Sequence, residues 1–323
     1  MIPRVSVIIP TRNRAAFLPA AVESAKHAGS DLEVIVVDDD STDETSEICQ
    51  NLAGIRYIRL RHNVGLAGAR NAGILASSSK FVAFLDDDDL RLPDSLDSQL
   101  RALEASTRAA FCYGRVLIAE HLRQLPTGEI LPKECPTGDI FWELLEQNFI
   151  PVPSVVARRE VVIDAGLFGP EPLVEDWQLW LRMSEVRPVV SVHEPVALYR
   201  RADRKSGQLS SNFASMYDAM RQVQASALRL PRAAAASPWK RNRARHRLVN
   251  GLYHSLLYEA TTALAAGDHV TSQLVTREAM RLRPIRGRTD LALLSILRPL
   301  KRLKPSRANG IASKRERLSK TEM

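Results

Sequence analysis

Three cysteines in 323 residues are too few for a disulfide framework. Cys49, Cys112 and Cys135 are odd in number, widely separated and without a CxxC pair, so no zinc site of that kind is suggested and buried or half-buried thiols are expected. Long apolar runs are also lacking. No stretch approaches the roughly 18 residues of a spanning helix, and the apolar core of "MIPRVSVIIPTRNR" is too short and too soon interrupted for a signal peptide. The expected location is the cytoplasm. Glycine is missing where a dinucleotide fold needs it, because "PTRNRA" follows the first strand-like run in place of GxGxxG.

What is present is a globular composition, 45% hydrophobic and 25% charged, which excludes disorder of the whole chain. The net charge of +8 is unevenly spread: residues from Arg281 onward carry 13 Lys+Arg against 3 Asp+Glu, leaving 32 against 34 before them. A basic tail of this kind attracts nucleic acid, anionic lipid or an anionic substrate.

The first half alternates β-branched runs, "VSVIIP" (5–10), "EVIVVD" (33–38), "IRYIRL" (55–60) and "KFVAFLD" (80–86), with stretches of helical spacing. This alternation predicts an α/β fold, a mostly parallel sheet with helices on both faces, whose ligands bind at the carboxyl ends of the strands. Polar clusters fall at those ends: Thr11 to Arg14, Asp38 to Asp40, His62-Asn63, and Asp86 to Asp89. Further on, "VEDWQLWLRMSE" (174–185) reads as a helix with Leu179, Trp180 and Met183 on one side. Residues 254–284 look like one helix-turn-helix unit of the tetratricopeptide kind, turning at Gly267. Three parts are expected: an α/β domain over residues 1–210, a helical appendage over 211–285 and a basic tail over 286–323.

The acidic clusters admit more than one chemistry. Asp38-x-Asp40-x-Thr42 matches haloacid-dehalogenase-type phosphohydrolases, which use one aspartate as nucleophile and the second as acid/base, but that motif normally ends the first strand. An EF-hand fails because Asp43 and Cys49 stand where glycine and glutamate belong. A helix N-terminus capped by Ser41 or Thr42, with Asp43 and Glu44 in its first turn, leaves Asp38 and Asp39 unexplained. Carboxylates at these positions suit the N–H of a base or the hydroxyls of a ribose. In "RHNVGLAGARNAGI" (61–74) the glycines permit close approach of helix and backbone, while Arg70 and Asn71 offer donors to a phosphate or sugar oxygen. Four consecutive carboxylates repel unless a cation joins them, and hard cations such as Mg²⁺ or Mn²⁺ take one or two carboxylates plus substrate phosphates. In an extended segment Asp86 and Asp88 would point one way and Asp87 and Asp89 the other.

"VSVIIPTRNR", "VVDDDSTDET", "NVGLAGARNAGI", "FLDDDDLRLPDSL" and "VEDWQLWLRM", in this order, resemble a family 2 glycosyltransferase of the GT-A fold over residues 3 to 205. The resemblance implies inverting transfer of a sugar from a nucleoside diphosphate donor, UDP favoured, to a glycan or lipid-linked acceptor with the help of Mn²⁺ or Mg²⁺. By the same resemblance Asp39 binds the base, Asp38 supports that pocket, and Thr11 and Arg14 line it. Asp86-x-Asp88 matches the DxD element, with Asp88 on the metal and Asp86 or Asp87 nearer the ribose and sugar, and Asp176 matches the catalytic base. Two departures stand out: Asp40 where glycine is frequent, and Ala202 where a histidine often follows the Tyr-Arg pair, with Arg200, Arg201 or Arg204 as the charges available in its place. His193 is expected to be structural. The tail segment "LALLSILRPLKRLKPSR" (291–307) has the composition of a segment lying on an anionic membrane, which would place the protein peripherally on the inner face of the cell membrane. Neither the phosphohydrolase nor a nucleic-acid-binding protein accounts for all five motifs.

Overall fold

A computed structural model describes residues 2–120, 126–170, 173–201 and 213–282. Strands β1 (Val5–Thr11), β2 (Leu32–Asp38), β3 (Ile55–Arg59) and β4 (Phe81–Phe84) run parallel in the order β3-β2-β1-β4 and alternate with α1 (Leu18–Lys26), α2 (Thr45–Asn51) and α3 (Gly65–Ala76). The parallel, helix-alternating expectation holds for this half. β1 is buried along its whole length, as a central parallel strand must be when both faces are covered. Val5, Val7 and Ile9 pack toward α1 on one face, while Ile8 faces α3 on the other. β3 ends this side of the sheet and keeps Arg56 and Arg59 at its exposed positions, which discourages further pairing.

Beyond β4 the sheet becomes mixed. The chain continues through β5 (Leu90–Arg91), α4 (Ser95–Ala105), β6 (Phe111–Glu120), β7 (Pro126–Leu131), α5 (Phe141–Glu146), β8 (Val156–Arg158), α6 (Arg159–Asp164), α7 (Glu175–Val186) and β9 (Val190–Arg201). β8 pairs antiparallel with β4 and β6, and β9 runs parallel to β6. The two-residue β5, directly after the acidic run, pairs with β9 and ties that run to the far side of the sheet. α7 is fixed by its apolar face: Trp177, Leu179, Trp180 and Met183 are buried, and Trp180 meets Phe84, Phe111 and Phe168 at ring distances of 6.0, 5.4 and 6.1 Å. All three cysteines are free and buried, as expected.

The chain ends in helices α8 (Phe213–Ala227), α9 (Pro231–Ala234), α10 (Pro238–Ala265) and α11 (His269–Leu282). It divides into two compact units, Met1–Gly251 and Leu252–Met323. Within the second, the expected helix-turn-helix is present: Gly267 takes φ +79° at the turn, Asp268 caps α11 by accepting Thr271 N–H at 3.0 Å, and Ser272 Oγ donates to Ala260 O at 2.9 Å. The expected boundary at 210, Ala202, Arg204 and the basic tail lie outside the described residues. Among the described residues no helix is long and apolar enough to cross a membrane.

Gly73 is where α3 comes nearest the sheet. A Cβ there would lie 2.5 Å from Ile8 Cγ2 and 3.2 Å from Val37 Cγ2. Gly73→Ala is expected to destabilise the protein by about 1–3 kcal/mol through overpacking, measured by urea denaturation.

Candidate functional site

The carboxyl ends of β1 and β2 are stitched together by polar contacts. Asn13, at φ +54°, accepts Thr42 N–H at 2.7 Å, and its own N–H donates to Ser41 Oγ at 3.0 Å. Asp38 is fully buried, accepting Ser41 N–H at 2.8 Å and Tyr57 O–H at 2.7 Å. It supports the loop and is inaccessible to an incoming phosphoester, which removes the geometric basis of the phosphohydrolase alternative. Asp39 reaches across to the start of α3, accepting Val64 N–H at 2.7 Å and Gly65 N–H at 2.9 Å. Asp40 sits at φ +59°, a left-handed conformation that glycine adopts without cost, so its departure from glycine falls at a turn. The expected cap by Ser41 or Thr42 is corrected: α2 begins at Thr45, and Asp43 accepts both Thr45 N–H at 3.1 Å and its hydroxyl at 2.5 Å.

The four aspartates after β4 form a tight turn closed by Asp89 N–H donating to Asp86 O at 3.0 Å. The strict alternation expected of an extended segment therefore does not apply. Asp89 points inward, accepting Arg200 N–H at 2.8 Å, and burial together with Asp88 and Asp86 drives its carboxyl well above the usual range. Burial and Asp88 push Asp87 up to about 8, with Thr11 and Arg14 opposing the shift.

Arg70 departs most from expectation. Its side chain is 1% exposed and its two terminal nitrogens donate to carboxylates, Nη1 to Glu175 at 2.6 Å and Nη2 to Asp86 at 2.5 Å. Burial disfavours the charged guanidinium, but Asp86 and Glu175 outweigh it and hold Arg70 protonated. It is a strut between the acidic turn and the start of α7 instead of a donor free for a phosphate. Asn71 is committed likewise, exchanging hydrogen bonds of 2.9 Å with the backbone of Phe168. The strut places Asp176, the next residue after Glu175, at the first turn of α7. Asp176 is half-buried, and burial followed by repulsion from Glu175 raises its carboxyl to about 7, against the opposing effects of Trp177 N–H, Arg70 and Asn148.

Of the two described arginines offered in place of the missing histidine, Arg200 and Arg201, Arg200 faces the turn. It is buried, its guanidinium lies 5.3 Å from the Phe17 ring, and burial lowers its proton affinity against the pull of Asp88, Asp89 and Asp87. Arg201 is exposed and pairs with Glu129 at 2.8 Å. His193 is exposed on β9 and takes no place in the core.

Eight of the nine residues singled out from sequence, Thr11, Arg14, Asp39, Arg70, Asp86, Asp87, Asp88 and Asp176, line one cavity of about 1640 Å³; Asp38 lies beneath it. Sequence reasoning missed Lys133, Asn148 and Arg247 on the same walls. Lys133 follows β7, Asn148 follows α5 and Arg247 lies on α10, and no local pattern announces the convergence. Among the described residues no three His, Cys, Asp or Glu side chains form a cation cage by themselves. Hard oxygen donors clustered this closely nevertheless suit a Mg²⁺ or Mn²⁺ ion that completes its shell from a bound phosphate. A cation at this turn would offset the mutual repulsion that, after burial, raises Asp87 and Asp89.

The model of the family described as "Glycosyl transferase family 2" matches residues 6–164. A UDP-Glc:alpha-D-GlcNAc-diphosphoundecaprenol beta-1,3-glucosyltransferase of Escherichia coli is 33% identical over 182 residues, 55% of this chain and 69% of the relative. A GalNAc(5)-diNAcBac-PP-undecaprenol beta-1,3-glucosyltransferase of Campylobacter jejuni is 37% identical over 208 residues, 61% of this chain and 65% of that one. The chain also matches Rickettsia glycosyltransferases, of whose length it spans only 26% to 33%. In fold it is similar to a mannosyltransferase of Pyrobaculum calidifontis in complex with GDP-Man and Mn²⁺, with a TM-score of 0.58 at 18% identity over 95% of this chain and 89% of the other.

Replacing Arg70 by Ala would leave Asp86 and Glu175 without their shared partner, and a loss of about 3–5 kcal/mol is expected in chemical denaturation. Arg70→Lys keeps the charge but cannot span both carboxylates, so it should recover only part of that loss.

Proposed function

The chain belongs to glycosyl transferase family 2, and on that premise we propose that it is an inverting hexosyltransferase. Its donor is a nucleoside diphosphate sugar, UDP-linked foremost, and its acceptor a hydroxyl of a lipid-linked glycan. The supporting observation is that one cavity carries Asp86, Asp87 and Asp88 on one wall and Asp176 on another, with Arg70 bonded to both sides. The named activities of the Escherichia coli and Campylobacter jejuni relatives support the choice of donor and acceptor class. A volume of about 1640 Å³ exceeds the roughly 300–1,000 Å³ of an ordinary ligand pocket and has room for two substrates side by side.

In this reading Asp39 and Thr11 border the base, with Arg14 on the ribose side. Asp88 and Asp86 would hold the divalent ion, whose chemistry is to stabilise negative charge on the departing diphosphate. Asp176 takes the proton of the acceptor hydroxyl as its oxygen bonds to the anomeric carbon. The bond from that carbon to the diphosphate oxygen breaks with its electron pair on the leaving group, and a single displacement inverts the configuration. A base poised near 7 is matched to work at neutral pH. Asn148 and Trp177 N–H favour the charged carboxylate, and the apolar face of α7 fixes its position.

Asp176→Asn is expected to lower kcat by about 10²–10⁴-fold in a transfer assay while leaving calorimetric UDP binding intact. The base acts deprotonated, so kcat/KM of the wild type should fall as pH drops through about 7; a profile flat from pH 5 to 9 would remove Asp176 from that role. Asp88→Ala is expected to abolish the Mn²⁺-dependent part of UDP binding, and equal binding with and without chelator would overturn the metal assignment.

A further inference from the structure

Ahead of Arg281 the chain is close to neutral, yet "WKRNRARHR" (239–247) holds five cations and no carboxylate. This stretch forms the first turns of α10 within the first compact unit. Ala244 and Leu248 are buried and fix the rotation of the helix. Trp239, Arg243 and His246 then share the outer side at i, i+4 and i+7, with Arg245 also exposed and Trp239 itself 69% exposed. Glu146 at the end of α5 neutralises only part of the charge, bonding Arg247 at 2.8 Å and lying 3.8 Å from Arg243. Lys240 lies 4.2 Å above the ring of Trp142, and Arg243 lies 5.5 Å from that of Trp239. Arg247 and Glu146 line the cavity, so the patch reaches its rim on the side that also holds Asn148, the neighbour of Asp176.

We propose that this face of α10 docks on an anionic phospholipid surface. Cations with an exposed indole among them suit the headgroup region, where lysines and arginines meet phosphates and tryptophan has one apolar side and one wet one. Nucleic acid would be served by the cations alone and gives no reason for the position beside the cavity. The purpose of the contact rests on the proposed lipid-linked acceptor: docking here brings the Asp176 side of the cavity to an acceptor still held in the bilayer.

The test uses the full chain and vesicles of phosphatidylcholine, with and without phosphatidylglycerol, in a sedimentation assay. Wild type is expected to bind the phosphatidylglycerol vesicles and to lose that binding with added salt. Each cation near an anionic surface is worth roughly five-fold in partitioning. Lys240→Gln/Arg245→Gln should therefore weaken it by roughly 25-fold, Trp239→Ala should weaken it further, and Arg245→Gln alone should cost roughly five-fold. None of the three side chains lines the cavity, so UDP affinity and thermal stability are expected to stay at wild-type values. Unchanged vesicle binding in the double variant would overturn the proposal, as would loss of binding to a DNA duplex with vesicle binding intact. Vesicle binding lost in the variant, with no UDP binding in either protein, would uphold the docking surface and sink the transferase reading.

Discussion

A guanidinium taken out of water needs its charge compensated by the protein, and Arg70 finds that in Asp86 and Glu175, one carboxylate on each terminal nitrogen. Those two carboxylates belong to different halves of the fold: the acidic turn ends the parallel strands, whereas α7 stands on the mixed part of the sheet. One planar group bonded to both fixes how far apart they stand more rigidly than two independent contacts would. Phe168, 5.3 Å from the guanidinium, covers it, and Asn71 in the next position of α3 holds the Phe168 backbone in place. The walls of the cavity are thus referenced to a single residue of α3. That helix is in turn pressed against β1 and β2 by the absence of a side chain at Gly73.

The acidic turn carries less free charge than four aspartates suggest. Asp86 is paired with Arg70, Asp89 is turned inward to Arg200 N–H, and Asp87 holds its proton up to about 8. Arg200 brings a buried positive charge to the other side of the turn. The repulsion that four adjacent carboxylates would create is therefore distributed among an arginine pair, a backbone bond and retained protons. On the proposed reading a divalent ion held by Asp88 and Asp86 would supply positive charge beside Asp87 and Asp89 and so favour their ionised forms.

The strands and the polar clusters at their ends were legible because both follow from local pattern: β-branched runs of four to seven residues, each followed by residues that no buried strand would carry. The mixed half was less so. β5 is two residues long, too short for a periodic signal, and the antiparallel pairing of β8 depends on what the first four strands leave exposed. Within the site, the residue types of Arg70 and Asp176 marked them, but Arg70 was read as a ligand donor because its partners lie 16 and 105 residues away. Lys133, Asn148 and Arg247 carried no mark at all, since the first two stand on loops after β7 and α5 and the third on α10, with no pattern that links them. Asp40 shows the converse: a residue that looks like a departure from glycine is explained by the left-handed turn it occupies.

Glu175 and Asp176 show why adjacent carboxylates acquire different roles. A helix N-terminus ordinarily favours the charged form of both. Glu175 gains a buried guanidinium at 2.6 Å, while Asp176 is left facing the cavity with a backbone N–H and Asn148 as compensation, and with Glu175 itself as a near negative charge. The carboxylate that anchors the strut is therefore also the one that raises the proton affinity of its neighbour. Burial is the larger cause, and Trp177 and Trp180 are packed into the core from the same helix. Anchoring and part of the tuning come from the same pair of residues, so the contact that joins the two halves of the fold positions Asp176 and, after burial, adds to its proton affinity.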